Sequence, residues 1–203
     1  MAEKIADLKV SEFLDKLAAP DAECGGGSAV LFGAAMGSCL AAMAAGVTVK
    51  RGASEADAEL LQKKAVVFKQ MAGVFTDMAA LDGQAYLDYL EAGKMPQESE
   101  EEKKARDEAM QKALVRAVEL PMQACDLCVK LLEDIRGIKD KCNKVCLSDL
   151  SAAVSLLRDC ASGCLMNVIQ NSSGLPKPEL IMVKVRELSL KIKMLSLDIL
   201  VNK

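Results

Sequence analysis

"ECGGGSAVLFGAAMGSCLAAMAAGVT", residues 23–48, joins three glycines and a serine to an apolar run, and from Ala29 to Val49 there is no charged residue. A run of that length can cross a bilayer as a helix. It is built from Ala, Gly and Ser instead of Leu, Ile and Phe, however, and the other long helical segments each carry a charged face suited to water. The reading adopted is a helix buried on all sides within a bundle, whose small residues let neighbouring backbones come close.

Working outward, residues 11–18 form a short amphipathic piece ended by Pro20, and Ser54 starts a helix that runs to about residue 92. Gly93-Lys94-Met95-Pro96 breaks it, and Ser99 with Glu102 makes a capping-box start for the next helix, which reaches about residue 135 with a kink or break expected at Pro121. A polar loop over 137–147 leads to Ser148 as the expected N-cap of a helix ending near residue 171. The loop that follows ends at Pro178, which suits the first turn of a last helix to residue 201. No segment alternates with period two, so the expected fold is all-α, a bundle of five or six helices with interrupted or kinked members. The 203 residues, 51% of them hydrophobic, make one substantial core and are read as a single domain, 1–203.

The net charge of −3, with both signs mixed along the chain, and the 3% aromatic content argue against a nucleic-acid partner. The N-terminal MAEKIADLKVSEF shows no positive head followed by an apolar run. A cytoplasmic location is therefore expected, with no membrane partner, and the eight cysteines are read as reduced.

Gly25-Gly26-Gly27-Ser28 delivers backbone N–H groups at the positive end of a helix dipole, where an anion or a partial negative charge can be held. It lacks both the Lys-Ser/Thr ending of a P-loop and the spacing of a dinucleotide turn. The order of features around it says more. "FLDKLAAPDAECGGGSAVLFGAAMGSCLAAM", then "LDGQAYLDYLEAGKMP", "EEEKKARDEAMQKALVRAVELPMQAC", "CNKVCLSDLSAAV" and "ASGCLMNVIQN" together resemble the cyclodeaminase/cyclohydrolase family of folate enzymes. The resemblance covers nearly the whole chain. One position departs: Cys24 stands where the family usually has Pro.

Read by themselves, Phe68, Met71, Phe75, Met78, Asp82, Ala85 and Tyr89 fall at steps of three or four, so a carboxylate is set into an apolar helical stripe, with Tyr86 one turn beyond. Such a carboxylate is costly unless paired or used. Counting both ways from the break near Pro96 brings Arg106 to a similar height on the next helix, as an ion-pair partner or as a second group facing substrate. Ser148 and Asp149 suit a helix start, with Asn143 in the loop before them. Asn167 shares a face with Asp149 but lies about 27 Å further along, too far for one local site unless it serves a neighbouring subunit. Cys125-x2-Cys128 and Cys142-x3-Cys146 loosely imitate a four-thiolate metal site, but the first pair is in a helix, and Cys39, Cys160 and Cys164 occupy apolar positions where cysteine acts as a small hydrophobe. No metal is expected.

The resemblance implies hydrolysis of 5,10-methenyltetrahydrofolate to 10-formyltetrahydrofolate, with no cofactor and with a mono- or polyglutamylated folate as substrate. It also implies a homodimer. Its alternative is the cyclodeaminase reaction, which closes 5-formiminotetrahydrofolate with loss of ammonia; outside the family, a non-catalytic or thiolate metal-binding bundle remains. Water must be activated next to a cation, and the chain has no His. Asp82 is then the expected base with Tyr86 as its orienting partner, Gly25, Gly26, Gly27, Ser28, Asn143 and Asp149 the expected substrate-binding groups, and Arg106, or Lys50 with Arg51, the expected receiver of the glutamate tail.

Overall fold

The computed structural model describes residues 5–20 and 24–201. Six α-helices follow a short 3-10 turn at Ile5–Asp7: α1 (Val10–Ala18), α2 (Gly26–Lys50), α3 (Glu55–Gly93), α4 (Glu100–Ile138), α5 (Leu147–Ser172) and α6 (Pro178–Val201). The described residues contain no strand. The protein is an all-α bundle.

The small residues of α2 explain its place at the centre. Ala34, Ala41, Ala44 and Ala45 are fully buried, and α2 packs on both α3 and α5. A Cβ at Gly37 would stand 3.0 Å from the Ala153 carbonyl oxygen, and one at Gly163 would stand 2.8 Å from Val30 Cγ1, so α2 and α5 approach closer than larger residues permit. The two buried hydroxyls of α2's body are satisfied within the helix, Ser38 on the Ala34 carbonyl at 2.8 Å and Thr48 on that of Ala44 at 2.7 Å. By length and composition α2 and the segment 144–172 could each cross a membrane; half of the most apolar window of α2 is buried inside the bundle, so the helix is not covered on all sides as expected, and Met36, Cys39 and Met43 stay exposed.

Phe68 and Phe75 of α3, Leu132 and Ile135 of α4, and Val154 and Leu157 of α5 fill the core with α2, and α6 closes the far side through Val185, Leu188 and Ile192. On the outside, α1 is held over α2 by Phe13, whose ring centroid lies 4.7 Å from that of Phe32.

Three further sequence expectations change. The chain does not break at Pro121: α4 runs through it for 39 residues. Ser148 is not the cap of α5, because the helix already begins at Leu147 after two 3-10 turns, Lys139–Lys141 and Lys144–Cys146. Asn143 caps the second of those turns, its side-chain oxygen accepting from the Val145 N–H at 3.1 Å. Finally, the chain does break between Gly93 and Glu100, where Pro96 lies, but α3 and α4 pair in a register centred near residue 100 instead of Pro96, since Lys64 meets Asp134 and Arg106 meets Gly93.

Candidate active site

The first turn of α2 has free N–H groups, and the residue at its cap position, Gly25, has no side chain to satisfy them. Asp82, from the last third of α3, fills that place. The carboxylate accepts from the backbone N–H of Ser28. The Ser28 hydroxyl lies 3.4 Å from Asp82 Oδ2 and 3.1 Å from the Ala79 carbonyl oxygen. Directly above, a Cβ at Gly27 would stand 2.3 Å from Asp82 Oδ2 and 2.7 Å from its Cγ. Any larger residue there would displace the carboxylate, which occupies the space.

Among the described residues no ion pair includes Asp82. Burial pushes its pKa above the ordinary value of 3.8, while the two Ser28 hydrogen bonds pull it down. The group is a half-buried carboxylate, held by a helix N-terminus and uncompensated by any cation.

Over it opens a cavity of about 660 Å³, a volume in the range of small-molecule sites. Its floor is Cys24, Gly25, Gly27 and Asp82; α3 adds Tyr86 and Tyr89, α4 adds Arg116 and Ala117, and α5 adds Asn167, Gln170 and Asn171. Pro121 shapes this wall. Lacking an N–H, it leaves the Ala117 carbonyl without its helical donor, and Asn171 Nδ2 supplies one at 3.1 Å. Asn171→Ala is therefore expected to cost about 1 kcal/mol in urea unfolding. In a Pro121→Ala background, where the helix can supply its own N–H, the loss should shrink towards zero.

The sequence profile of the formiminotransferase-cyclodeaminase family matches residues 9–187. The chain belongs to this family. A methenyltetrahydrofolate cyclohydrolase of Methylorubrum extorquens is 31% identical over 170 residues, covering 82% of this chain and 80% of that protein. The formimidoyltransferase-cyclodeaminase of Mus musculus is 28% identical over 83% of this chain, a match that spans 31% of the mouse protein's length. In architecture, the crystal structure of formiminotetrahydrofolate cyclodeaminase from Thermotoga maritima superposes with a TM-score of 0.84 at 22% identity, covering 96% of this chain and 95% of the other.

In this cyclodeaminase-family chain Gly25, Gly27, Asp82 and Tyr86 line one cavity. Ser28 supports Asp82 from behind, and Gly26, exposed at the helix start, would meet nothing within 4 Å if it carried a Cβ. None of the three loop glycines has a positive φ; the one such glycine among the described residues is Gly52. Tyr86 does not orient Asp82; Ser28 does, and Tyr86 stands at the mouth, 54% exposed.

Arg106 does not pair with Asp82. Its Nε donates to the Gly93 carbonyl at 3.3 Å, because the hairpin turns near residue 100 and so sets Asp82 opposite Ala117 and Leu120. Asn143 and Asp149 are also elsewhere in the chain. The Asn143 N–H donates to Thr48 Oγ1 at 2.9 Å, at the opposite end of α2 from Ser28, roughly 30 Å away along the helix. Lys50 and Arg51 share that far end. Asn167, set apart from Asp149 by distance, lines the Asp82 cavity instead.

The thiols separate in the same way. Cys125 and Cys128 face Cys160 and Cys164, whose sulfurs lie 3.9 Å apart, while Cys142 sits by Thr48. Burial pushes the Cys125 thiol up to about 12. No group of three or more His, Cys, Asp or Glu among the described residues is placed to hold a metal ion.

Arg116, Gln170 and Asn171 were not singled out by sequence. Arg116 could have been found only by counting the hairpin register from Ser99. The amides could have been found from the i, i+3, i+4 spacing of Asn167, Gln170 and Asn171.

Proposed function

We propose that this chain hydrolyses 5,10-methenyltetrahydrofolate to 10-formyltetrahydrofolate in the Asp82 cavity. The observation that carries the reading is the unpaired, half-buried carboxylate on the cavity floor, in a chain similar along most of its length to a methenyltetrahydrofolate cyclohydrolase. An isolated anion suits a substrate whose reacting carbon belongs to a cationic amidinium. Asp82 takes a proton from the attacking water as the C–O bond forms at that carbon. The adduct then loses its hydroxyl proton and breaks the C–N5 bond to give the formyl group; N5 gains a proton, and Asp82 returns its own to solvent. One proton is released overall. No cofactor is required by this sequence of steps.

The pterin edge carries amide-like donors and acceptors, which Asn167, Gln170 and Asn171 complement. With Asn171 Nδ2 committed to the Ala117 carbonyl, its amide oxygen is the acceptor left for a ligand.

A second reading uses the same site. In the cyclodeaminase reaction N10 of 5-formiminotetrahydrofolate, with its formimino group protonated to the amidinium, attacks the formimino carbon, and the NH2 group leaves as ammonia with the proton that N10 gives up. Similarity to the mouse formimidoyltransferase-cyclodeaminase favours keeping it. The test is to follow loss of methenyltetrahydrofolate absorbance above the spontaneous rate and, in parallel, ammonia release from the formimino substrate. Catalysed absorbance loss without ammonia release supports the hydrolase; ammonia release alone replaces it with the deaminase.

We further place the protein in the cytoplasm as a homodimer, acting on mono- or polyglutamylated folate. Support for assembly comes from α2, whose outward stripe, Met36, Cys39 and Met43, is exposed and uncharged, the kind of surface a second copy would cover. Light scattering at micromolar concentration should give twice the 21.7 kDa chain mass. A stable monomer would contradict it.

A further inference from the structure

Of the described residues that line the cavity, Asp82 is the one anion and Arg116 the one cation. They are joined by α3. Asp88, six residues and about 9 Å beyond Asp82 along that helix, holds Arg116 Nη1 by Oδ2 at 3.2 Å, and its other oxygen accepts from Gln84 Nε2 at 2.8 Å. Tyr86 and Tyr89 of the same helix line the cavity with them. The wall therefore presents a carboxylate, aromatic surface and a guanidinium. A reduced folate carries the complementary groups: an amidinium cation, the flat p-aminobenzoyl ring and, one amide further, the carboxylates of its glutamate.

We propose that Arg116 is the residue that recognises the glutamate carboxylate of the substrate, and so sets which end of the folate faces Asp82. The inference rests on the folate reading above. The resting pair with Asp88 is compatible with it. Both side chains are substantially exposed, 56% and 33%, so the pair is weakly held, and Nη1 is the single guanidinium nitrogen it engages, leaving Nε and Nη2 as a fork for a carboxylate. Arg116 is shared with a second cavity of about 400 Å³, lined by Lys112 one turn before it and by Asp88 and Glu91, so a path outward over the guanidinium exists, with both signs of charge along it.

The experiment compares two substrates, 5,10-methenyltetrahydrofolate and the corresponding methenyltetrahydropteroate, which lacks the glutamate. Arg116→Gln should raise KM for the first by about 10- to 100-fold with a much smaller change in kcat, as expected for loss of a charge-assisted pair to the ligand. For the pteroate the same variant should leave KM within about twofold of the wild-type value for that substrate, because the group that Arg116 meets is missing. Asp88→Asn breaks the same ion pair but keeps the guanidinium, so its KM for the folate should stay within about twofold of wild type or fall. An equal KM rise for both substrates in Arg116→Gln, or a rise in Asp88→Asn as large as that in Arg116→Gln, assigns Arg116 a structural role and overturns the inference. If wild type turns over neither substrate, the hydrolase reading fails and takes this inference with it.

Discussion

Gly27→Ala should lower kcat/KM by about 100-fold while leaving the helix content of the protein unchanged. The new methyl would lie inside the van der Waals envelope of the Asp82 carboxylate, 2.3 Å and 2.6 Å from its oxygens. Asp82 must then swing away from Ser28, or the first turn of α2 must lift. Either shift moves the carboxylate by about an ångström, a displacement that costs on the order of 10²-fold when the group acts on a reacting atom. The same change at Gly26 meets open space and should cost far less. Steady-state kinetics of both variants, with circular dichroism on the same samples, checks the pair. Equal losses at both glycines would mean that the loop works through backbone freedom, not through the room it leaves for Asp82.

The second large effect is expected at Asp82 itself. Asp82→Asn keeps a carbonyl oxygen for the Ser28 N–H but removes the proton acceptor, so kcat should fall by about two to four powers of ten. Stability should move the other way or not at all. The folded chain holds a proton on Asp82 at pH values where the unfolded chain has lost it, since burial raises the pKa. Above that window the folded state carries the cost of a buried charge; as pH falls through the raised pKa the cost disappears. Asparagine removes it at neutral pH, and no cation is stranded, because Arg106 is not a partner. In the wild type, kcat should decline on the acid side at a pH higher than an ordinary carboxylate would give, and that limb should be missing from whatever activity Asp82→Asn retains.

Much of the fold could be read from the chain because its helices are punctuated by residues with one physical meaning each. Ser99 with Glu102 forms the capping box, and Pro178 is the first residue of α6. Asp82 was visible because a carboxylate interrupts a stripe that otherwise buries Phe68, Phe75 and Met78. What could not be read is register. A proline near a break does not say where two helices begin to face each other, and an error of a few residues there exchanged Arg116 for Arg106. Nor does a polar loop reveal which end of the bundle it caps. Asn143 is anchored to Thr48, a contact 95 residues apart in sequence, and with the close approach of Ala153 to Gly37 it puts Asn143 and Asp149 at the far end from Ser28. Pro121 by itself predicts a kink or a break, because the sequence does not show that Asn171, on another helix, satisfies the carbonyl it leaves free.

The central claim is that Asp82 is the base of a hydrolytic site, and one preparation of Asp82→Asn tests it most directly. Its melting temperature and its kcat for methenyltetrahydrofolate, corrected for the spontaneous rate, are measured side by side with wild type. A melting temperature at or above wild type with kcat lower by at least about two powers of ten is the predicted result. A variant that turns over at the wild-type rate, whatever its melting temperature, would leave Asp82 as the cap of α2 and nothing more.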